Sequence, residues 1–240
     1  MKKHFITYGT NRYSHSKFRL AKQVESLQIF DSVDVCDEKN ISLGFKEKHK
    51  EVLNKAHGGG FWIWKLDIIK EKLDKLKDGD YLVYADAGCV INNEGKKRLL
   101  EYFDMLNKSE YGIISFQMDH KEINWTTSNV FKYFDVDLKS TIANSGQIMA
   151  TLLIMQKKPH LLKIIEEAYK VLDYDDKLFT NEYGCVDNKK TQHAGFKDTR
   201  HDQSIMSVIR KIHGSIILSD ETLCHLPESK KWPIWAKRLK

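Results

Sequence analysis

Short unbroken apolar runs alternate along this chain with stretches whose apolar positions recur every three or four residues. The first rhythm marks buried strands and the second marks helices lying on a core. His4 to Tyr8 reads as a strand, and Gly9-Thr10-Asn11-Arg12 is the polar loop after it. Ser14 or Ser16 caps a helix carrying Phe18, Ala21, Val24 and Leu27. Val33 to Cys36 is a weak second strand, and Phe45 to Ala56 has a helical pattern. His57-Gly58-Gly59-Gly60 then leads through Phe61 and Trp62-Ile63-Trp64-Lys65 into a helix with Leu66, Ile69, Leu73 and Leu76. After the Asp78-Gly79 turn comes the clearest buried strand, Tyr81 to Ala85, which stops at Asp86-Ala87-Gly88-Cys89.

The second half continues the alternation. Leu99, Leu100, Phe103 and Leu106 mark a helix, Tyr111 to Phe116 a strand, and Gln147 to Gln156 an apolar run read as one strand. His160 to Leu172 is helical. Asp173 to Thr199 is polar and irregular, the character of a lid or binding loop. His201 to His213 is a helix with Ile205, Val208 and Ile212 on one face, followed by a last strand, Ser215 to Leu218. Residues 224–240 form a basic, aromatic tail. Such alternation predicts one α/β domain over residues 1–240, with a mixed, mostly parallel sheet flanked by helices. Ligands of such sheets bind beyond the carboxyl ends of the strands, which directs attention to Gly9–Arg12 and Asp86–Gly88.

Composition narrows the class. In 240 residues, 41% are hydrophobic, enough for a sizeable core, and no apolar run approaches the ~20 residues of a membrane span. The N-terminus lacks a secretory cleavage pattern, and the four cysteines are scattered without a CxxC pair. Free thiols and a cytoplasmic location are therefore expected. The net charge of +6 is spread over many segments, and no helix-turn-helix, zinc or RNA-recognition pattern accompanies it. That argues against nucleic acid as the partner. The Trp/Lys tail leaves room for peripheral contact with an anionic membrane face.

Five segments carry candidate chemistry. Asp86, delivered by a buried strand and followed by two small residues, suits a hard divalent cation with phosphate oxygens, or simply a strand-ending turn. Asn144-Ser145-Gly146-Gln147 offers amides for hydroxyls and a glycine for close approach. Arg200-His201-Asp202-Gln203 opens a helix, where Asp202 is favoured by the dipole and is also the candidate catalytic carboxylate, as base or orienting group. His225 to Trp232 brings a histidine and two lysines, Lys230 and Lys231. The three consecutive glycines suit a phosphate cradle at a helix start.

Together these segments resemble GT-A type (Rossmann-like) glycosyltransferases. The likeness is to a small bacterial and viral group with Trp-x-Trp-Lys ahead of Leu-x-Tyr-x-Asp-Ala-Gly-Cys, and more distantly to glycogenin and lipopolysaccharide galactosyltransferases. Asp86 matches the first aspartate of their Asp-x-Asp motif, and Gly88 replaces the second. The resemblance implies transfer of a sugar from a nucleotide-diphosphate donor, a UDP-linked one first, to a glycan or lipid-linked acceptor in polysaccharide assembly. It implies Mn²⁺ or Mg²⁺ on Asp86 and His225. It places donor or substrate contacts at Tyr8, Thr10, Arg12, Lys65, Asp86, Ala87, Gly88, Asn144, Ser145, Gly146, Gln147, His201, Gln203 and Lys230. A sugar nucleotidyltransferase shares the general fold, but the loop after the first strand lacks the rest of that class's glycine-rich signature.

Overall fold

The computed structural model describes residues 1–184 and 191–239. Strands β1 (Lys3–Tyr8), β2 (Ser32–Cys36), β3 (Tyr81–Ala85), β5 (Ile113–Lys121), β6 (Gly146–Ile148), β7 (Leu152–Gln156) and β8 (Ile216–Ser219) form the main sheet among the described residues. A short pair, β4 (Val90–Ile91) and β9 (Ile234–Trp235), stands apart from it. The order β2-β1-β3-β7-β5 continues to β6 on one side of β5, and β8 lies on its other side. β2, β1, β3, β5 and β8 point one way, while β7 and β6 run against them. The sheet is thus mixed and mostly parallel.

Every residue of β3 is buried, and its side chains alternate between two cores. Tyr81, Val83 and Ala85 join Leu20 and Val24 of α1 (Ser14–Ser26) and Leu99, Phe103 and Leu106 of α6 (Lys96–Lys108). Leu82 and Tyr84 face Leu66, Ile69 and Leu73 of α5 (Trp64–Lys75), Ile164 and Ala168 of α9 (Pro159–Tyr174), and Ile205 and Ile209 of α10 (Asp202–His213). The strand is apolar throughout because both of its faces are covered by helices. Among the described residues no helix is long and apolar enough to cross a membrane. Cys36, Cys89 and Cys224 are free, and Cys185 lies outside the described residues.

The element boundaries follow the sequence pattern with three corrections. The helix expected over 45–56 is two short ones, α2 (Leu43–Lys48) and α3 (Lys50–Leu53), broken at His49, whose ring turns inward onto Phe45. The glycines enter a short segment α4 (Gly58–Phe61), but φ is positive at all five residues from Gly58 to Trp62, so its hand is left. Finally, the run 147–156 is two strands rather than one. Residues 148–150 turn their backbone groups to α10: the Ile148 amide donates to Ser207 Oγ (2.8 Å) and the Ala150 amide to Gln203 Oε1 (3.2 Å). Arg210 donates to the Met149 carbonyl at 2.7 Å. With those groups satisfied by side chains, the strand can leave its ladder. Between β5 and α10 the chain adds α7 (Ser128–Tyr133) and α8 (Thr141–Asn144).

Candidate functional site

The interruption between β6 and β7 is a notch in the strand ladder beside the carboxyl end of β3, and Asp86 stands next to it. The Asp86 amide donates to the Thr151 carbonyl at 3.0 Å, which ties the residue to the break. Its carboxylate is about one-third exposed, and Oδ1 accepts from the Tyr84 hydroxyl at 2.5 Å. Burial, then Asp86 itself, holds the Tyr84 phenol well above its ordinary pKa, so it stays a donor.

Lys65 is the counter-charge. Its ammonium is buried, 2.7 Å from Asp202 Oδ2 and 3.6 Å from Asp86 Oδ1, and it donates to the Ala150 carbonyl at 3.2 Å. Burial alone would favour the neutral amine, but Asp202 and then Asp86 reverse the direction and raise its pKa. Burial also pushes the Asp202 carboxyl pKa upward, with Lys65 opposing it. The Asp202 side chain is only 7% exposed, so it meets Lys65 rather than solvent.

The local sequence explains how Lys65 gets there. A left-handed run costs about 1–2 kcal/mol for each residue bearing a Cβ, and three glycines avoid most of that cost. The segment ends against His201, on which the Trp62 ring stacks with centroids 5.4 Å apart. Trp64 stacks on Tyr8 at 3.7 Å and bonds the Gly58 carbonyl at 2.9 Å. Ile63 is fully buried. The Trp-x-Trp frame thereby fixes the first turn of α5, and Lys65 projects from it into the notch. The amides of Ile63, Lys65 and Leu66 are taken by Gly60, Trp62 and Ile63 carbonyls. At the glycines, where a phosphate cradle was expected, the Gly59 and Gly60 amides already donate to the Ala56 and Lys55 carbonyls.

His201 also has positive φ (53°, with ψ −123°), a conformation that a residue with a side chain rarely adopts. Its Nδ1 donates to the Phe179 carbonyl at 3.0 Å, and its Nε2 lies 3.2 Å from His57 Nε2. Burial and His57 lower its pKa to about 4, so the ring is neutral at pH 7. The neutral tautomer set by Phe179 leaves Nε2 to accept from His57. Residues 185–190 of the expected lid lie outside the described residues.

The other expected residues divide. Gln147 and Gln203 join the group: Gln203 Nε2 donates to Gln147 Oε1 at 2.7 Å. Gln147 in turn donates at 2.8 Å to Glu122, a fully buried carboxylate that also holds Lys211 (2.9 Å), Thr126 and Ser207. Ala87 and Gly88 follow Asp86 as the turn, where Arg19 clamps the Ala87 and Cys89 carbonyls at 3.0 Å each. Tyr8 is buried under Trp64. Thr10 and Arg12 lie on the rim after β1, half-buried and exposed.

Asn144, Ser145 and Gly146 are engaged in local contacts instead. Asn144 Nδ2 bonds the Leu138 and Ser140 carbonyls, and Ser145 Oγ bonds Ile142. A Cβ at Gly146 would stand 1.9 Å from the Met118 carbonyl oxygen, so glycine is required there for contact with β5. His225 and Lys230 are exposed in the C-terminal segment. Lys230 contributes its carbonyl to Asn92, at 2.8 Å. Glu122, Ser207 and Arg210 were missed. The one signal for Ser207 and Arg210 was polar residues at helical spacing (203, 207, 210) inside an otherwise apolar helix, and Glu122 had none.

The expected metal pair, Asp86 with His225, is not part of a larger ligand cluster among the described residues. Among the described residues no three His, Cys, Asp or Glu side chains are placed to hold a metal ion. Asp86 already has a tyrosine hydroxyl and an ammonium beside Oδ1. A lone carboxylate with Oδ1 already engaged is a poor fit to a divalent cation, which takes several hard oxygen ligands.

No protein-family model matches the chain, and no curated protein matches it in sequence. Solved structures share its fold. A glycosyltransferase involved in the glycosylation of the major capsid of PBCV-1 aligns over 98% of this chain and 94% of its own, with TM-score 0.51 and 10% identity. The apo glycosyltransferase GlyE of Streptococcus pneumoniae TIGR4 aligns over 99% and 54%, with TM-score 0.51 and 12% identity. The bifunctional glycosyltransferase WbbM aligns over 95% and 39%, with TM-score 0.52 and 13% identity. The chain thus spans about half of GlyE and less than half of WbbM. The likeness is one of fold, a distant GT-A-type α/β architecture.

Proposed function

We propose that this chain transfers a sugar from a nucleotide-diphosphate donor to a hydroxyl of a glycan or lipid-linked acceptor. The observation that carries the reading is the partly exposed Asp86 carboxylate, held at the end of β3 by Tyr84 and by the Lys65–Asp202 pair. Nucleotide-sugars suit that position: a fixed carboxylate accepts from sugar hydroxyls, it is partly exposed, and it stands at the carboxyl end of a strand, where ligands of such sheets bind. The fold shared with three glycosyltransferases supports the same reading.

In this reaction the bond between the anomeric carbon and the phosphate oxygen breaks, and its electron pair stays on the departing diphosphate. The acceptor oxygen bonds the anomeric carbon, and its proton is released with the nucleoside diphosphate. Asp86 orients the donor sugar. Asp202, locked in its ion pair, holds Lys65 in place rather than meeting the acceptor. Gln203, braced by the buried Gln147, shapes the adjoining wall.

The test is thermal denaturation with a panel of nucleotide-sugars, UDP-linked ones first, followed by donor turnover. A bound donor at about 100 times its Kd adds ~2.7 kcal/mol of stability. Asp86→Asn is expected to keep the fold and lower turnover at least about 100-fold. Turnover equal to the parent's, or release of pyrophosphate from a sugar phosphate and a nucleoside triphosphate, would overturn the reading.

A further inference from the structure

A divalent ion that bridges protein and diphosphate is held best by several hard oxygen ligands whose charge is not already taken. This rim has the opposite character. Lys65 stands 3.6 Å from Asp86 and 2.7 Å from Asp202, so the group's carboxylates already share one cation. Two residues beyond Asp86, where a second carboxylate would be sought, stands Gly88. A Cβ at Gly88 would lie 2.9 Å from the Cα of Arg238 and 3.2 Å from its carbonyl carbon. The space is filled by backbone of the C-terminal strap.

The strap is built into the rim. Asn92 Nδ2 donates to the Lys230 and Trp232 carbonyls at 2.8 and 3.0 Å, and the Asn92 amide donates to Pro233 at 2.8 Å. Val90 and Ile91 pair with Trp235 and Ile234, and the Leu239 amide donates to the Gly88 carbonyl at 2.9 Å. A Cβ at Gly95 would lie 2.4 Å from Pro233, so a second glycine makes room for the strap. Lys237 lies over the Trp235 ring at 4.8 Å. Arg238, its backbone seated directly on Gly88, is exposed and has no ion pair among the described residues.

We infer that the donor's diphosphate is neutralised here by protein cations, with Arg238 of the strap serving where a second carboxylate and its divalent ion would otherwise stand. The inference rests on the nucleotide-sugar reading above. A guanidinium presents paired N–H donors that match phosphate oxygens and keeps its charge at any working pH. Asp86, relieved of a metal, is left for sugar hydroxyls.

Calorimetric titration with UDP, GDP and their glucose conjugates, in EDTA and again in Mn²⁺, tests it. For whichever probe binds, Kd in EDTA is expected to be within about threefold of that in Mn²⁺. Arg238→Ala should weaken binding in EDTA by about tenfold or more, the size of one charge-assisted bond, and Arg238→Lys should recover part of it. Binding that appears only with Mn²⁺, or an Arg238→Ala protein that binds as the parent does, overturns the inference while leaving the nucleotide-sugar reading intact. Absence of binding by every probe in both buffers overturns both.

Discussion

Replacing Lys65 by methionine keeps the length of the side chain but leaves Asp86 and Asp202 without their shared cation. Removing one member of a buried pair strands the other, at a cost of about 3–5 kcal/mol, whereas replacing both by apolar groups is often close to neutral. Lys65→Met is therefore expected to lose about 3 kcal/mol in denaturant unfolding, and Lys65→Met with Asp202→Leu to regain most of it while remaining inactive. A Lys65→Met protein as stable as the parent would show that the pair is not formed. His201 gives a second test. Its pKa is near 4 in the fold against 6.5 when free, so it is neutral in both states above pH 7. Below 6.5 the unfolded chain takes up a proton that the folded ring refuses, and stability falls until pH 4. Between pH 7 and 5 this amounts to about 2 kcal/mol. His201→Asn, which tolerates positive φ, should lose about that much less over the same interval.

Elements show which features a linear pattern conveys. β3 was legible because both of its faces are apolar, and α10 because Ile205 and Val208 recur at helical spacing. The break between β6 and β7 was not. It depends on Gln203, Ser207 and Arg210, polar residues that a period-based reading assigns to solvent but that bond the strand's backbone. Ile212, expected on the buried face, is 40% exposed. The strap escaped notice for a similar reason, since its seat consists of Gly88 and Gly95, which show only as missing side chains. Restoring the motif carboxylate with Gly88→Asp should therefore dislodge the strap. The expected cost is about 1–3 kcal/mol, that of overpacking, with faster proteolysis of the last residues. Unchanged stability and proteolysis would mean that the strap does not sit there.

At the scale of the molecule, the two cores share one sheet, and β3 contributes alternate side chains to each. Neither core can melt without exposing the other's strand, so calorimetry should show one cooperative transition, and two separated ones would contradict this architecture. The site was legible to the extent that its members follow strand ends or open helices: Asp86, Lys65 and the adjacent pair Asp202 and Gln203 come from three distant stretches of the chain and meet at one notch. Asn144, Gly146, His225 and Lys230 sit on segments whose positions depend on loop paths, and those paths carry no periodic signal. The reversed hand of residues 58–62 has a mechanical result. A right-handed α5 cannot grow backwards through it, so the helix begins at a fixed residue and at a fixed angle about its own axis. Each residue advances that angle by about 100°, so a shift of one position in the starting point would swing the lysine's stem more than a quarter turn away from the notch. The mirror-image turn thus acts as an end stop, and the aim of a single ammonium depends on it.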